Sequence, residues 1–200
     1  PTRDNGRITL RFYDPRPHSG EQKTTPATLY IHGGGWVVGS LETHDTICRR
    51  IAQETQQLLF AVDYRLAPEY PFPYPLHDCL DALYFIAEHA AEFSIDPHLL
   101  TLMGDSAGGN LATVIAHQYL SNPKASADYT VIQEILFYPV TTSAATHDSY
   151  QRFAEGYPLT ISRKKRKIRA PGRQLYLYAP QIYTPKIYAQ ITGRIRWFRL

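Results

Sequence analysis

A single serine stands between two glycines in a pattern that suits nucleophilic catalysis. The segment 104–108 reads Gly-Asp-Ser-Ala-Gly, with Ser106 at its centre. In a G-x-S-x-G segment a strand passes directly into a helix, and the sharp turn between them exposes the serine hydroxyl. A side chain at Gly104 or Gly108 would collide with the neighbouring strand and helix. The N-terminus of the helix favours negative charge that develops beside the serine. We therefore interpret Ser106 as a nucleophile.

The sequence around this segment supplies the two elements that the turn needs. Residues 99–103 are an apolar run of strand length, and apolar residues recur at helical spacing after the serine, at Leu111, Val114, Ile115 and Leu120. A chance match to the five-residue pattern is expected in under about one in ten chains of this length. The flanking strand and helix patterns make chance a still poorer explanation.

Three consecutive glycines form the second unusual segment. Residues 32–36 read His-Gly-Gly-Gly-Trp and directly follow the short apolar run 27–31. Glycines in a row are costly in an ordered segment, and their use is to leave bare backbone N–H groups facing a cavity. A phosphate-binding loop is the alternative, but the Lys-Ser/Thr pair of a P-loop is absent. Donors aimed at the oxygen of a tetrahedral intermediate fit better, so the segment predicts an oxyanion hole.

Strand-like runs alternate with amphipathic helical patterns along the chain. The patterns predict strands over 8–13, 27–31, 58–62, 99–103 and 131–137, and helices over 44–57, 76–93 and from the serine to about 120. Prolines between 68 and 75 predict an extended, non-helical stretch. The alternation indicates an α/β fold with a mostly parallel sheet and helices on both faces. Functional loops of such sheets follow the C-terminal strand ends, so we expect the glycine loop and the serine turn to share one site.

The distribution of charge divides the chain. Residues 1–160 contain 10 Lys+Arg and 18 Asp+Glu, a net charge of −8, whereas residues 161–200 contain 11 Lys+Arg and no acid, a net charge of +11. We predict a folded domain over 1–160 and a basic tail with tyrosines and prolines over 161–200.

Two interpretations of the tail are open. The run 163–169 reads Arg-Lys-Lys-Arg-Lys-Ile-Arg, which is typical of a nucleic-acid or nuclear-import patch, and the tyrosines after it could stack on bases. Alternatively, the tail was never selected to fold here, because acids and histidines vanish together as after a shifted reading frame or a misjoined exon. We favour the second interpretation.

Neither cysteine suggests a metal site. Cys48 and Cys79 have no metal-ligand spacing and fit small apolar positions on helix faces. We expect no metal, no cofactor and, by default, a reduced cytoplasmic setting. No apolar run approaches the roughly twenty residues of a membrane helix, and no secretory leader is visible. Because the first residue is Pro1, the start of the chain is expected to be missing or processed.

Three motifs in this order resemble the hormone-sensitive-lipase branch of the α/β-hydrolases. They are residues 32–35, residues 63–69 (Asp-Tyr-Arg-Leu-Ala-Pro-Glu) and residues 104–110 (Gly-Asp-Ser-Ala-Gly-Gly-Asn), and the resemblance covers about residues 5–160. The resemblance implies an α/β-hydrolase fold and a serine carboxylesterase that acts on small-molecule esters with short acyl chains.

The resemblance also implies a role for individual residues. Ser106 is the nucleophile, and the backbone N–H groups of Gly34, Gly35 and Ala107 form the oxyanion hole. His32 shapes the glycine loop and does not exchange protons. Supporting positions are Gly33, Gly104, Asp105, Gly108 and the segment 63–69; the alternative for Asp63 and Glu69 is that they are solvated loop acids.

The sequence departs from this branch after Ser106. Members of the branch take an acid and then a histidine from two later strands, but only His117 and His147 follow the serine. His117 lies about 16 Å along the helix axis, which excludes it as the base. Geometry does not exclude His147 as a substitute base, and its alternative is an exposed loop histidine. We therefore expect that the last strands are missing and that activity is impaired.

The departure leaves two alternatives and one consequence for assembly. The alternatives are a catalytically inactive, ligand-binding hydrolase fold and a basic-tailed nucleic-acid binder. If the sheet ends at 131–137, that strand has an open edge, through which chains are expected to form oligomers or aggregates. Residues 175–178 are a candidate for a substitute strand, although prolines at 171, 180 and 185 disfavour a long one.

Overall fold

The computed structural model describes residues 1–17, 24–121 and 128–141, together with the backbone of two short strands within 167–176. The elements in chain order are β1 (Thr9–Tyr13), β2 (Thr25–Ile31), α1 (Leu41–Thr55), β3 (Leu58–Asp63), α2 (Tyr74–Glu88), β4 (Ile95–Asp105), α3 (Ser106–Leu120), β5 (Val131–Phe137), β6 (Lys167–Ala170) and β7 (Arg173–Tyr176).

Five strands form one sheet in the order β1-β3-β2-β4-β5. The strands β3, β2, β4 and β5 are parallel, and β1 is antiparallel at the edge beside β3. The register pairs Ile31, the last residue of β2, with Gly104 near the end of β4. The glycine loop and the serine turn therefore leave the sheet side by side.

Helices cover both faces of this sheet. On one face, α1 packs on alternate strand residues through Leu41, Cys48 and Ala52. On the other face, α2 and α3 enclose the larger part of the apolar core. The predicted α/β architecture with helices on both faces is confirmed. Cys48 and Cys79 are free and fully buried in helices, and burial raises the pKa of the Cys48 thiol to about 12.

The predicted boundaries of two helices were wrong. Helix α1 begins at Leu41 and not at 44, because the Ser40 hydroxyl accepts a hydrogen bond from the Thr43 N–H and Thr43 bonds back to Ser40, which caps the helix. Helix α2 begins at Tyr74 and includes Pro75, since the first turn of a helix needs no N–H donor there. The same helix ends at Glu88, five residues before the predicted end.

The turn after α2 leads into a strand that is longer than expected. Strand β4 spans Ile95–Asp105, whereas the apolar run predicted only 99–103. At the start of the strand, Ile95 pairs with Thr25 of β2. The register of the two strands shifts between Thr25 and Ala27. The first part of the strand was missed because it contains the polar segment Asp96-Pro97-His98, and only apolar runs had been interpreted as strands.

Strands β6 and β7 form an antiparallel hairpin with Ile168 opposite Leu175. The candidate substitute strand thus overlaps β7, which pairs with β6, and no strand of the five-stranded sheet pairs with it in the described structure. The proposed domain boundary at 160 lies outside the described residues and stays a prediction. No helix in the described ranges is long and apolar enough to cross a membrane.

Candidate active site

The turn that carries Ser106 leaves no room for side chains on its flanking glycines. Ser106 has a φ of +50°, in the left-handed region that non-glycine residues rarely adopt. A Cβ on Gly104 would lie 2.6 Å from the backbone carbon of Gly108 and 2.7 Å from the carbonyl oxygen of Ile31. A Cβ on Gly108 would overlap that same oxygen. The first turn of α3 therefore packs directly on the end of β2.

The glycine loop continues from that strand end in a tight, left-handed turn. Gly34 and Gly35 have φ values of +117° and +62°. The carbonyl of Gly34 accepts hydrogen bonds from the N–H groups of Val37 at 3.1 Å and Val38 at 3.0 Å. A Cβ on Gly34 would overlap the carbonyl of Val38, so only glycine fits at this position.

Three backbone N–H groups, two in the glycine loop and one in the serine turn, have no internal acceptor. Within the described ranges, the N–H groups of Gly34, Gly35 and Ala107 donate to no carbonyl or side-chain oxygen. Ala107 belongs to the first turn of α3, whose N–H groups have no partner within the helix. An arrangement of this kind can bind an oxygen that acquires negative charge.

Asp105, the residue before the serine, ties the glycine loop to the sheet. Its Oδ1 accepts hydrogen bonds from the Tyr30 hydroxyl at 2.9 Å and from the Gly33 N–H at 3.0 Å. A Cβ on Gly33 would overlap the carboxylate. Burial acts to raise the pKa of Asp105, but the contact with His44 and the hydrogen bonds from Tyr30 and Gly33 outweigh it and lower the pKa. The carboxylate is thus charged at neutral pH.

His32 lies in the interior and is shielded from proton exchange with solvent. Its ring stacks on Tyr64 with 4.2 Å between the centroids, and its Nδ1 donates to the carbonyl of Gly33 at 2.7 Å. Nε2 is buried and has no partner among the described residues. Burial lowers the pKa of His32. A neutral ring with its proton on Nδ1 satisfies all of these observations.

The segment 63–69 supports the glycine loop through residues other than its acids. The Tyr64 hydroxyl donates to the carbonyl of His32 at 2.8 Å, and the Ala67 N–H donates to the carbonyl of Trp36 at 2.9 Å. Both ends of the loop are therefore held by this segment. The motif was identified from the sequence, but nothing in it singled out Tyr64 and Ala67 as the residues in contact.

The chain after β5 also reaches the serine. The Val140 N–H donates to the carbonyl of Ser106 at 3.0 Å, and the Asn110 side chain donates to the carbonyl of Val140 at 2.9 Å. Three successive strand ends, those of β2, β4 and β5, thus meet at Ser106. The glycine loop and the serine turn therefore lie side by side, as predicted.

His44 is a site residue that the sequence analysis missed. It lies in the first turn of α1, and its Nε2 is 3.4 Å from Oδ1 of Asp105. Its ring centroid is 5.3 Å from that of His32. The contact with Asp105 is the main cause of a raised pKa for His44. The sequence offered no signal for it beyond a histidine at the start of the helix that follows the glycine loop.

Other predicted site residues lie away from this cluster or outside the described structure. His117 is in the last turn of α3, at the opposite end from Ser106. His147 and residues 163–166 of the basic run lie outside the described residues, so a substitute base and a nucleic-acid site stay predictions. The described ranges contain no group of three or more side chains that could hold a metal ion.

Known proteins are similar to this chain in sequence and in the arrangement of these elements. The family model described as alpha/beta hydrolase fold matches residues 28–191. The chain is 40% identical over 158 residues to an ethyl acetate hydrolase of Pseudomonas putida, covering 79% of this chain and 48% of that protein. It is 37% identical over 156 residues to the carboxylic ester hydrolase LipN of Mycobacterium tuberculosis, covering 78% of this chain and 40% of that one.

A solved structure gives the same result. EstE1, a thermophilic and thermostable carboxylesterase cloned from a metagenomic library, superposes with a TM-score of 0.69 at 38% identity, covering 78% of this chain and 51% of that one. The chain spans less than half the length of the two curated relatives.

Proposed function

Because the chain belongs to the α/β-hydrolase fold family, we propose that it carries the nucleophile and the oxyanion hole of a serine carboxylesterase. The observation that carries the proposal is the position of Ser106. It stands on a left-handed turn that Asp105 ties to the glycine loop, and three backbone N–H groups of this turn and loop lack acceptors within the described ranges. Ester hydrolysis needs a hydroxyl nucleophile and fixed donors for the oxyanion in the same place.

The reaction follows from these groups. Ser106 Oγ attacks the ester carbonyl carbon while a base takes the hydroxyl proton, and the carbonyl oxygen becomes an oxyanion held by the N–H groups of Gly34, Gly35 and Ala107. The bond to the alcohol then breaks and the base returns the proton to the leaving alkoxide. Water attacks the acyl-serine by the same route and releases the carboxylic acid.

We assign the base to a residue outside the described ranges. His32 is buried against Tyr64, and His44 faces Asp105. His117 is at the far end of α3. His147 is a substitute candidate within this sequence, and we expect that it does not supply a working base. Without a working base, the 200-residue chain retains only oxyanion-hole and binding effects, which amount to about 10³–10⁴ over water in the serine-protease template.

Small esters with short acyl chains are the proposed substrates. Support comes from the names of similar proteins, an ethyl acetate hydrolase and several carboxylesterases. The glycine loop and the serine turn are the parts of the site that act on the ester carbonyl, which all such substrates share.

Labelling of the serine tests the nucleophile directly. A fluorophosphonate probe forms a covalent bond with a serine nucleophile, and mass spectrometry locates the modified residue. Because a serine without a base reacts slowly, we expect label to accumulate on Ser106 only over a long incubation with excess probe. This label should be lost in Ser106→Ala and retained in Ser121→Ala, a matched control because Ser121 is exposed at the other end of the same helix. Equal labelling of Ser106→Ala and wild type would contradict the proposed nucleophile.

A comparison of rates tests the substitute base. We expect hydrolysis of p-nitrophenyl acetate by the 200-residue chain to be far slower than ordinary enzyme turnover and to be little changed by Ser106→Ala or by His147→Ala, because a serine without a base adds little. Turnover of about 10 s⁻¹, ordinary for enzymes, that both substitutions abolish would instead identify His147 as the base.

A further inference from the structure

We propose that His44 is a positioning residue for the glycine loop (residues 32–36), which holds the proposed oxyanion donors, and that it acts on this loop through Asp105. This inference rests on the proposed function, because the loop matters to catalysis only if it binds the oxyanion. It assigns a role to a side chain that the reaction steps above do not use.

One carboxylate oxygen joins the helix to the loop. Oδ1 of Asp105 lies 3.4 Å from His44 Nε2 and accepts the Gly33 N–H at 3.0 Å. The Tyr30 hydroxyl donates to the same oxygen at 2.9 Å. Three groups from α1, the loop and β2 therefore set the position of this oxygen, and Gly33 stands immediately before the proposed oxyanion donor Gly34.

The second nitrogen of His44 is also engaged. Its Nδ1 is 2.8 Å from the Thr43 hydroxyl oxygen. The same hydroxyl donates to the Ser40 carbonyl oxygen at 2.9 Å. A hydroxyl that donates to Ser40 can only accept from Nδ1. A ring with protons on both nitrogens fits this arrangement, and Asp105 favours that charged form because its contact raises the pKa of His44.

The surroundings leave Asp105 as the acid that pairs with this charge. The rings of His32 and Tyr30 lie 5.3 and 6.1 Å from His44. His32 is neutral as described above, and burial raises the pKa of Tyr30, which keeps its hydroxyl protonated. Behind His32 lies Asp63, whose charge acts on that ring. On α1 itself, Cys48 faces Tyr30 and stays a thiol at neutral pH.

Loss of the His44 contact would act on the transition state more than on substrate binding. The carboxylate would keep its hydrogen bonds from Tyr30 and Gly33 but lose the N–H donor of His44, and Gly33 would then shift together with the donors that follow it. Misplacement by about 1 Å costs up to about 10²-fold in rate. An oxyanion forms only in the reaction, so the loss should fall on kcat and leave KM nearly unchanged.

Two substitutions separate positioning from packing. His44→Gln keeps an N–H donor that can reach Asp105 but has no charge, whereas His44→Leu removes the donor. His117→Leu is the matched control, since His117 is also a part-exposed helical histidine but lies far from Asp105. Each chain is assayed with p-nitrophenyl acetate after subtraction of the rate without protein, and the Gly33 amide resonance is followed by NMR from pH 5 to 9.

We expect His44→Leu to lower kcat about tenfold with KM changed by less than about twofold, and His44→Gln to recover most of that loss. In the wild type, the Gly33 amide should shift with the titration of His44. The contact with Asp105 raises the pKa of His44, so the cation should persist above pH 6.5 and be lost as the pH rises through the raised pKa. The Gly33 shift should be flat in both variants and retained in His117→Leu.

The inference would be overturned if the chemical shift of the Gly33 amide does not change as His44 titrates. Equal losses in His44→Leu and His44→Gln with an unchanged pH profile would also overturn it, because they would indicate a packing role. If His44→Leu does not fold, the comparison of His44→Gln with the wild type decides: a pH-dependent Gly33 shift that is present in the wild type and absent in His44→Gln supports the inference. If the proposed function itself fails, the fluorophosphonate probe leaves Ser106 unlabelled, and the Gly33 titration still tests the link between His44 and the loop.

Discussion

The carbonyl oxygen of Ile31 occupies the space that a Cβ on Gly108 would need. Ile31 ends β2 and Gly108 lies in the first turn of α3, so the two elements meet at their backbones with no side chain between them. Because the glycine loop follows Ile31 directly, this contact sets the distance between the loop and Ser106. The geometry of the candidate site is thus a property of backbone packing.

We expect Gly108→Ala to destabilise the protein by about 3 kcal/mol or more, because the added methyl group meets a strand carbonyl that cannot move without disrupting the sheet. The gain in helix propensity, about 1 kcal/mol, offsets only part of this loss. Urea unfolding followed by circular dichroism measures the difference.

Gly109→Ala is the matched control for that substitution. A Cβ at Gly109 would lie 2.9 Å from the Cβ of Pro139 and 3.1 Å from the carbonyl oxygen of Gly104. Pro139 follows β5 and is not a sheet residue, so it can adjust by a few tenths of an ångström. We expect a smaller loss than for Gly108→Ala, and the reverse order would refute the backbone-packing argument.

Arg65 in the segment 63–69 forms ion pairs with two acids, and the two pairs should differ in how much they stabilise the folded state. Arg65 makes a two-pronged contact with Asp78, which is 0% exposed, and also contacts Asp4 at the surface. Removing one partner of a buried pair costs about 3–5 kcal/mol, so we expect Asp78→Ala to lower the free energy of unfolding by about 3 kcal/mol.

The control is Asp4→Ala, which should have little effect because solvent screens an exposed pair. Thermal unfolding of both variants at one pH provides the comparison. A loss in Asp4→Ala as large as that in Asp78→Ala would mean that the terminal segment, and not the buried carboxylate, holds Arg65 in place.

Much of the fold could be predicted because the local signals agree with the tertiary structure. Apolar runs such as 58–62 are buried on both sides in parallel strands, and Cys79 lies on a helix stripe that packs on the sheet. The serine and glycine motifs were visible because backbone approach leaves a constraint in the sequence itself, as Gly108 illustrates.

The rest depends on contacts between distant segments. His44 reaches Asp105 across 61 positions of the chain, and no local pattern encodes such a pair. The start of α2 was missed because Pro75 was interpreted as a helix breaker although it stands in the first turn. Tyr64 and Ala67 needed the folded loop before their hydrogen bonds to His32 and Trp36 could be seen.

Glu134 should make the protein less stable as the pH rises. Its side chain on β5 is 7% exposed, and its Oε1 has no partner among the described residues. Burial raises the pKa of this carboxyl from 4.5 to about 7. The folded state therefore holds the proton more tightly than the unfolded state, so stability falls between about pH 4.5 and 7 and the full penalty is present above pH 7.

The shift corresponds to a penalty of about 3 kcal/mol above pH 7. We expect Glu134→Gln to remove this part of the pH dependence and Glu134→Leu to stabilise the protein at pH 8. The exposed Glu92→Gln is the control and should change neither. Unfolding midpoints at pH 5 and pH 8 decide: an equal change at both values would mean that the Glu134 charge is not the cause.

The free edge of β5 should control self-association of the 200-residue chain. In the described structure β5 pairs with β4 alone, and Ile132 on that strand is 39% exposed. Unpaired backbone groups and an apolar side chain on an edge strand promote pairing with another chain.

We expect size-exclusion chromatography with light scattering to detect oligomers whose fraction increases with concentration, and Ile132→Lys to reduce that fraction because charge on an edge strand opposes pairing. Leu120→Lys is the control, since Leu120 is 66% exposed at the end of α3 and away from the edge. If Leu120→Lys alone dissolves the oligomers, they form through the helical face. A monomer at every concentration would mean that another part of the chain covers β5.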